Sequence, residues 1–183
     1  MTEICTAPHI DTAEREIWNA QAQRFVAEMT TFLKSRIDSD FTLSGVSLNW
    51  SRRGNSFAQY YESIRIKINM LDAHQPAGGI CHYTEYKSFK GHPAIGDFYT
   101  RQRFAYLKAV VAHEIAHAIQ FHLHEKYSMA GKPHGDIWKI LYACFRKQFI
   151  NPHLDDQNLM KQEFMESLRK SHEHLIKAVS EKN

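Results

Sequence analysis

Five residues, His113-Glu114-Ile115-Ala116-His117, constrain this chain more than any other stretch. They lie inside segment 101–125, where Phe104, Leu107, Val111, Ile115 and Ala118 recur at helical spacing. Between Phe104 and Phe121 only Lys108 and Glu114 carry full charge. A helix apolar nearly all round belongs at the centre of a fold. On such a helix, residues four apart share one face, so two imidazoles there reach one Zn²⁺ at about 2.0–2.1 Å. The residue after the first histidine stands about 100° round the helix, beside the metal rather than on it. A glutamate in that place can take a proton from water as a general base. Both histidines project roughly 160° from the Phe104/Val111/Ile115 ridge, so packing on that ridge does not require them. The competing reading is two satisfied core histidines beside a surface glutamate, and twelve histidines among 183 residues give it some weight. An unpaired carboxylate in so apolar a stretch is costly to bury, which argues for a role.

A catalytic zinc site needs a third protein ligand and one open position. The extended pattern H-E-x-x-H-x-x-G-x-x-H fails, because Gln120 stands for the glycine and Leu123 for the third histidine. His124 shares the face of the pair but lies about 10 Å beyond His117 along a straight axis. His122 faces elsewhere. His134 ends a Gly/Pro loop and opens the next helix through Gly135, so the chain can double back and aim it at the metal. Residues 135–149 contain no glutamate, and Glu163 and Glu166 on the last helix stay open as more distant candidates.

The rest of the chain reads as a frame around this helix. Segment 11–37 is helical, with Ile17, Trp18, Phe25, Met29, Phe32, Leu33 and Ile37 in phase and Asp11 or Thr12 as cap. Residues 41–50 form a strand that changes face at Gly45, where a bulge is expected. The cleanest strand is 62–70, with Ile64, Ile66, Ile68 and Met70 alternating with Arg65, Lys67 and Asn69; it is also the expected edge for a substrate strand. Segment 71–100 is irregular, with a further strand expected within Ile80 to Phe89. Helices follow at 135–149, stopped by Asn151-Pro152, and at 155–181, with Met160, Phe164, Leu168, Leu175 and Val179 inward. Length predicts one domain over 1–183, its motif-bearing core at about 40–150. Cys5, Cys81 and Cys144 are scattered and form no C-x-x-C pair, which fits a reducing compartment and excludes a cysteine zinc ribbon. The opening residues resemble no signal peptide, and no apolar run reaches membrane-spanning length, so a cytoplasmic protein without a membrane partner is expected.

His113-Glu114-Ile115-Ala116-His117, a short loop, then Lys132-Pro133-His134-Gly135-Asp136-Ile137-Trp138 together resemble the SprT-like (Spartan-type) zinc metallopeptidases. In that family a third histidine sits in an HG-x-x-aromatic motif opening the helix after HExxH. The resemblance covers roughly residues 40–150. It implies that His113, His117 and His134 hold one Zn²⁺ per chain and that Glu114 is the catalytic acid/base. It implies an endopeptidase acting on protein substrates, in several members proteins crosslinked to DNA, with DNA as a further partner. This chain lacks the Cys-rich zinc ribbon of many members; its C-terminal helix stands in that place. The expected fold is α+β and zincin-like: a small antiparallel sheet on a central HExxH helix, covered by N-terminal and C-terminal helices.

Weaker signals surround this core. Tyr83, Tyr86, Tyr127 and His82 are candidate donors to a tetrahedral oxyanion. Arg52, Arg53, Arg65, Lys67, Lys87, Lys90, Arg101 and Arg103, interleaved with Tyr60, Tyr61, Tyr83, Tyr86 and Phe89, suggest a nucleic-acid surface; solvated strand faces and core aromatics are the plainer reading. Net charge is only +3, which permits that surface without arguing for it. The alternative function is therefore a nucleic-acid-binding protein on a zincin scaffold with weak or no protease activity. Cys81 upstream of HExxH invites comparison with peptide deformylases, but Gly78-Gly79-Ile80-Cys81 does not match their motif.

Overall fold

The helix that carries the motif is the axis of the fold. In a computed structural model, which describes residues 10–51, 54–89, 91–129 and 131–180, it runs Ala105–Tyr127 as α3. Its buried residues include Leu107, Ala109, Val111, Ile115, Ala118 and Ile119 on several sides of the helix, as expected of a central element. The N-terminal helix α1 (Thr12–Arg36) lies against it and buries Trp18, Phe25, Met29 and Leu33. Asp11 caps α1 by accepting the Glu14 N–H at 2.7 Å. Ile17 and Ile37, expected inward, are exposed.

Three strands cover another side of α3. They are β1 (Gly45–Asn49), β2 (Phe57–Tyr61) and β3 (Ser63–Asn69), in the order β1-β3-β2. Ile64, Ile66 and Ile68 of β3 face the core; Arg65 and Lys67 face away. The sheet corrects two expectations. It is mixed rather than purely antiparallel, because β1 runs parallel to β3 and only β2 pairs antiparallel. Segment 62–70 is the middle strand and not the edge. The strand beside it, β2, hides in sequence because Phe57, Gln59, Tyr60 and Tyr61 break the apolar–polar alternation. Glu62, at φ 57°, closes the tight β2–β3 turn. Gly45 begins β1 rather than forming a bulge inside a longer strand.

After the short helix α2 (Met70–Ala73) comes a two-stranded antiparallel sheet, β4 (Cys81–Tyr83) with β5 (Phe98–Thr100). The expected strand within 80–89 is thus only three residues long, and a single 3₁₀ turn follows at Lys87–Phe89. Helix α4 (Asp136–Phe145) packs on α3 and runs into a π-helical turn, Arg146–Ile150. The last helix, α5 (Gln157–Ser180), docks on β5: Gln157 accepts the Tyr99 N–H at 2.7 Å and donates to its carbonyl at 2.9 Å. Phe164 packs against His82 and Tyr99. Met160 is buried, whereas Leu168, expected inward, is exposed; the side chains of Leu175 and Val179 lie outside the described residues. Among the described residues no helix is long and apolar enough to cross a membrane.

Candidate metal centre

The i, i+4 spacing on α3 places His113 and His117 one turn apart on the face that borders a cleft. His134 reaches them from the loop before α4. Its Nε2 lies 3.0 Å from Nε2 of His113 and 3.1 Å from Nε2 of His117. Nitrogens 2.0–2.1 Å from a tetrahedral centre stand roughly 3.3 Å apart, so these spacings are close to those of a zinc triad. Among the described residues this is the one cluster of three or more candidate ligands. Burial, then the neighbouring His113 and His134, hold the His117 pKa down to about 3; burial lowers that of His134. Neutral imidazole is the form that binds a metal, so the donor set fits Zn²⁺.

The loop is shaped to deliver His134. That residue sits at φ 57°, in the left-handed region, where a side-chain-bearing residue is strained by about 1–3 kcal/mol. Gly135 follows because a Cβ there would lie 2.8 Å from the Lys132 carbonyl oxygen, which accepts the Gly135 N–H at 2.8 Å. Gly135 is thus a backbone requirement, whereas His134 is held in its strained conformation for its imidazole. Gln120 ties the loop to α3 by donating to the same carbonyl at 3.2 Å. Trp138 is fully buried and forms the back wall, its ring centroid 4.6–5.4 Å from all three imidazoles.

Glu114 lines the same cleft and is 5% exposed. Burial pushes its carboxyl up to about 7; His113 opposes the rise, Glu85 adds to it, and the Ala58 N–H bonds to the carboxylate. A group poised near neutral pH can both take and return a proton. The cleft, about 460 Å³, runs between Ser56–Ala58 at the start of β2 and the C-terminal half of α3, where Gln120, Phe121 and His124 line it.

The other sequence candidates fall elsewhere. His122 bonds Asp38 at 3.1 Å, Glu163 pairs with Arg101, and Glu166 pairs with Arg169 at 2.8 Å. Cys81 is half-buried in β4, outside the histidine cluster. Of the four candidate oxyanion donors, Tyr83 is buried on Glu85, Tyr127 donates to Asp38, and His82 lies 3.3 Å from Asp97. Only Tyr86 adjoins the triad, its ring stacked on His134 at 5.0 Å. Segment 71–100 therefore borders the site through Tyr86. The basic candidates also scatter: Arg103 is held by Glu14, and Arg65 and Lys67 share the outer sheet face. Arg52, Arg53, Lys90 and the Lys87 side chain lie outside the described residues. Sequence reading missed Glu85, whose Oε1 is 3.2 Å from Nδ1 of His113.

HExxH metallopeptidases bring a third ligand from a later segment and leave one side of the metal to substrate. This fold does both, which makes the protein a zinc-dependent metallopeptidase of the zincin-like class. Within that class the assignment is specific: the SprT-like family model matches residues 23–156, most of the chain, and the chain belongs to that family. No curated protein and no solved structure matches it.

Proposed function

We propose that this chain is an endopeptidase in which His113, His117 and His134 hold one Zn²⁺ and Glu114 is the general acid/base. The observation that carries the reading is the convergence of three imidazole Nε2 atoms beside a buried glutamate in an open cleft. When bound, zinc supplies Lewis acidity, lowering the pKa of water and polarising a carbonyl oxygen. Glu114 takes the proton of the attacking water on its carboxylate and returns it to the departing amine nitrogen. The Ala58 N–H keeps that carboxylate oriented. Trp138 excludes water from behind the imidazoles, and the strained His134 backbone fixes the third donor before substrate arrives. An extended segment of substrate lies along β2, the strand that borders the cleft. The enzyme works in the cytoplasm, in keeping with the scattered cysteines of the sequence.

The test is cleavage of casein by zinc-loaded protein. Wild type cleaves it, and Glu114→Gln retains the metal but does not. Zinc-loaded wild type that leaves casein and unfolded proteins intact, or a Glu114→Gln variant as active as wild type, overturns the reading.

One observation favours a second reading, in which DNA-associated or DNA-crosslinked proteins are the substrates and DNA is a partner. Arg65 and Lys67 share the outer face of the sheet with Phe57 and Tyr61, which are 40% and 80% exposed. Exposed aromatic and cationic side chains on one strand face suit single-stranded nucleic acid. If this reading holds, Arg65→Glu/Lys67→Glu abolishes salt-sensitive binding of single-stranded DNA. Binding unchanged by the double variant removes it.

A further inference from the structure

Glu85 carries a chemistry that the proposed reaction does not use. It is 5% exposed, yet it belongs to neither α3 nor the loop that bears His134. One carboxylate oxygen lies 3.2 Å from His113 Nδ1 and accepts the Tyr86 N–H at 2.9 Å. The other accepts the Tyr83 hydroxyl at 2.7 Å. The Tyr83 hydroxyl in turn lies 3.2 Å from that of Tyr142, to which Arg146 Nη1 donates at 3.4 Å. Arg146, 3% exposed in the π-helical turn, also donates to the Gly96 carbonyl at 3.1 Å. A chain of buried polar groups thus runs from a guanidinium, through two phenols, to a carboxylate and on to a candidate ligand.

Each step has a reason. A buried carboxylate must be hydrogen-bonded and its charge balanced. Here the full cation, Arg146, stands two phenols away, so one side of Glu85 is left to the imidazole. An imidazole that donates Nδ1–H to a carboxylate has its tautomer set: Nε2 then carries the lone pair. Nε2 of His113 is the atom that faces His134. We propose that Glu85 is the positioning residue of the metal centre, orienting His113 and making it a stronger donor, while Tyr83, Tyr142 and Arg146 hold the carboxylate in place. This inference rests on the three-histidine zinc reading. The sequence conceals the role, because Glu85 lies in an irregular segment 28 positions before His113.

The test measures the Zn²⁺ dissociation constant of the full chain against a competing chelator, beside the visible spectrum of the Co²⁺-loaded protein and the melting temperature of the metal-free protein. Glu85→Ala weakens Zn²⁺ binding by about 10–100-fold, the usual loss when a partner behind a metal-bound histidine is removed, and alters the Co²⁺ bands. Glu85→Gln keeps an acceptor oxygen and restores part of that affinity. Tyr142→Phe removes a phenol but leaves the acceptor, so it shifts affinity by less than Glu85→Ala does. Wild-type affinity and Co²⁺ bands in both Glu85 variants overturn the proposal. If Glu85→Ala does not fold, Glu85→Gln decides: binding several-fold weaker than wild type upholds it, and unchanged binding and bands refute it. Wild type that binds no zinc marks failure of the underlying reading instead.

Discussion

Helix α3 carries two histidines backed by a buried carboxylate from another segment, His113 on Glu85 and His122 on Asp38. In burial and contact distance they look alike. Their surroundings differ in how the charges close. Asp38 accepts from His122 at 3.1 Å, from Lys126 Nζ at 2.9 and 3.0 Å, from the Tyr127 hydroxyl at 3.1 Å and from the Asp40 N–H at 2.9 Å. A lysine sits directly on that carboxylate, and the cluster clamps the end of α1 to the end of α3. Around His113 the nearest full cation in the carboxylate's hydrogen-bonded chain is Arg146, beyond two phenols, while three imidazole nitrogens converge on an open cleft. In the first cluster Lys126 bridges the Asp38 and Asp40 carboxylates, so every polar group there is spent inside the clamp. In the second, the nitrogens of three imidazoles stay turned toward the cleft. A carboxylate behind a histidine therefore does not by itself mark a metal site; the convergence of three imidazoles on one point does.

That contrast can be broken by substitution, and the largest effect belongs to Glu114. Replacing it with glutamine leaves the three imidazoles intact and removes the proton acceptor. We expect kcat to fall by about 10²–10⁴-fold while zinc stays at one per chain. Zinc lost together with activity would show that Glu114 holds the site rather than working in it. Next come matched histidine variants. His134→Ala weakens zinc binding at least as much as the about 10–100-fold typical of losing an outer partner, whereas His122→Ala leaves affinity unchanged. Equal losses in the two would dissolve the distinction between the clusters.

A smaller effect isolates the backbone. Gly135→Ala drives a Cβ toward the Lys132 carbonyl and displaces His134 without touching an imidazole. Zinc affinity should fall by about 10-fold, read by chelator competition, with α-helical circular dichroism retained. The smallest effect on the metal, none, is expected at Asp38. Asp38→Asn lowers the melting temperature and keeps zinc at one per chain. The hydrogen bond from the Asp40 N–H, followed by Lys126, holds the Asp38 carboxyl well below the usual carboxylate range. A carboxyl depressed on folding stabilises the protein above its unfolded pKa of about 3.9, and that stability is lost as pH falls toward the folded value. Urea midpoints should therefore drop below about pH 4 in wild type, and less steeply in Asp38→Asn.

The parts of this architecture legible in sequence are those governed by local rules. The 3.6-residue period of α3, the facing of His113 and His117 and the cap at Asp11 all follow from nearest-neighbour geometry. So does the punctuation of His134-Gly135, although the reason for the glycine, the Lys132 carbonyl, is visible only in three dimensions. What stayed hidden depends on long-range pairing. β2 lacks alternation because Phe57 and Tyr61 stand on a solvated face, so the sequence pattern points to its partner β3 as the edge. The parallel β1–β3 pair needs a crossover that no local pattern records. Glu85 lies in a segment whose irregular backbone gives no periodicity to read.

The central claim is that His113, His117 and His134 form one zinc site, and zinc content tests it most directly. Elemental analysis of purified wild type should give one zinc per chain, with His134→Ala depleted under the same chelator wash and His122→Ala still loaded. Wild type that remains zinc-free after metal is offered, or a His134→Ala variant that holds zinc as tightly as wild type, would contradict the account.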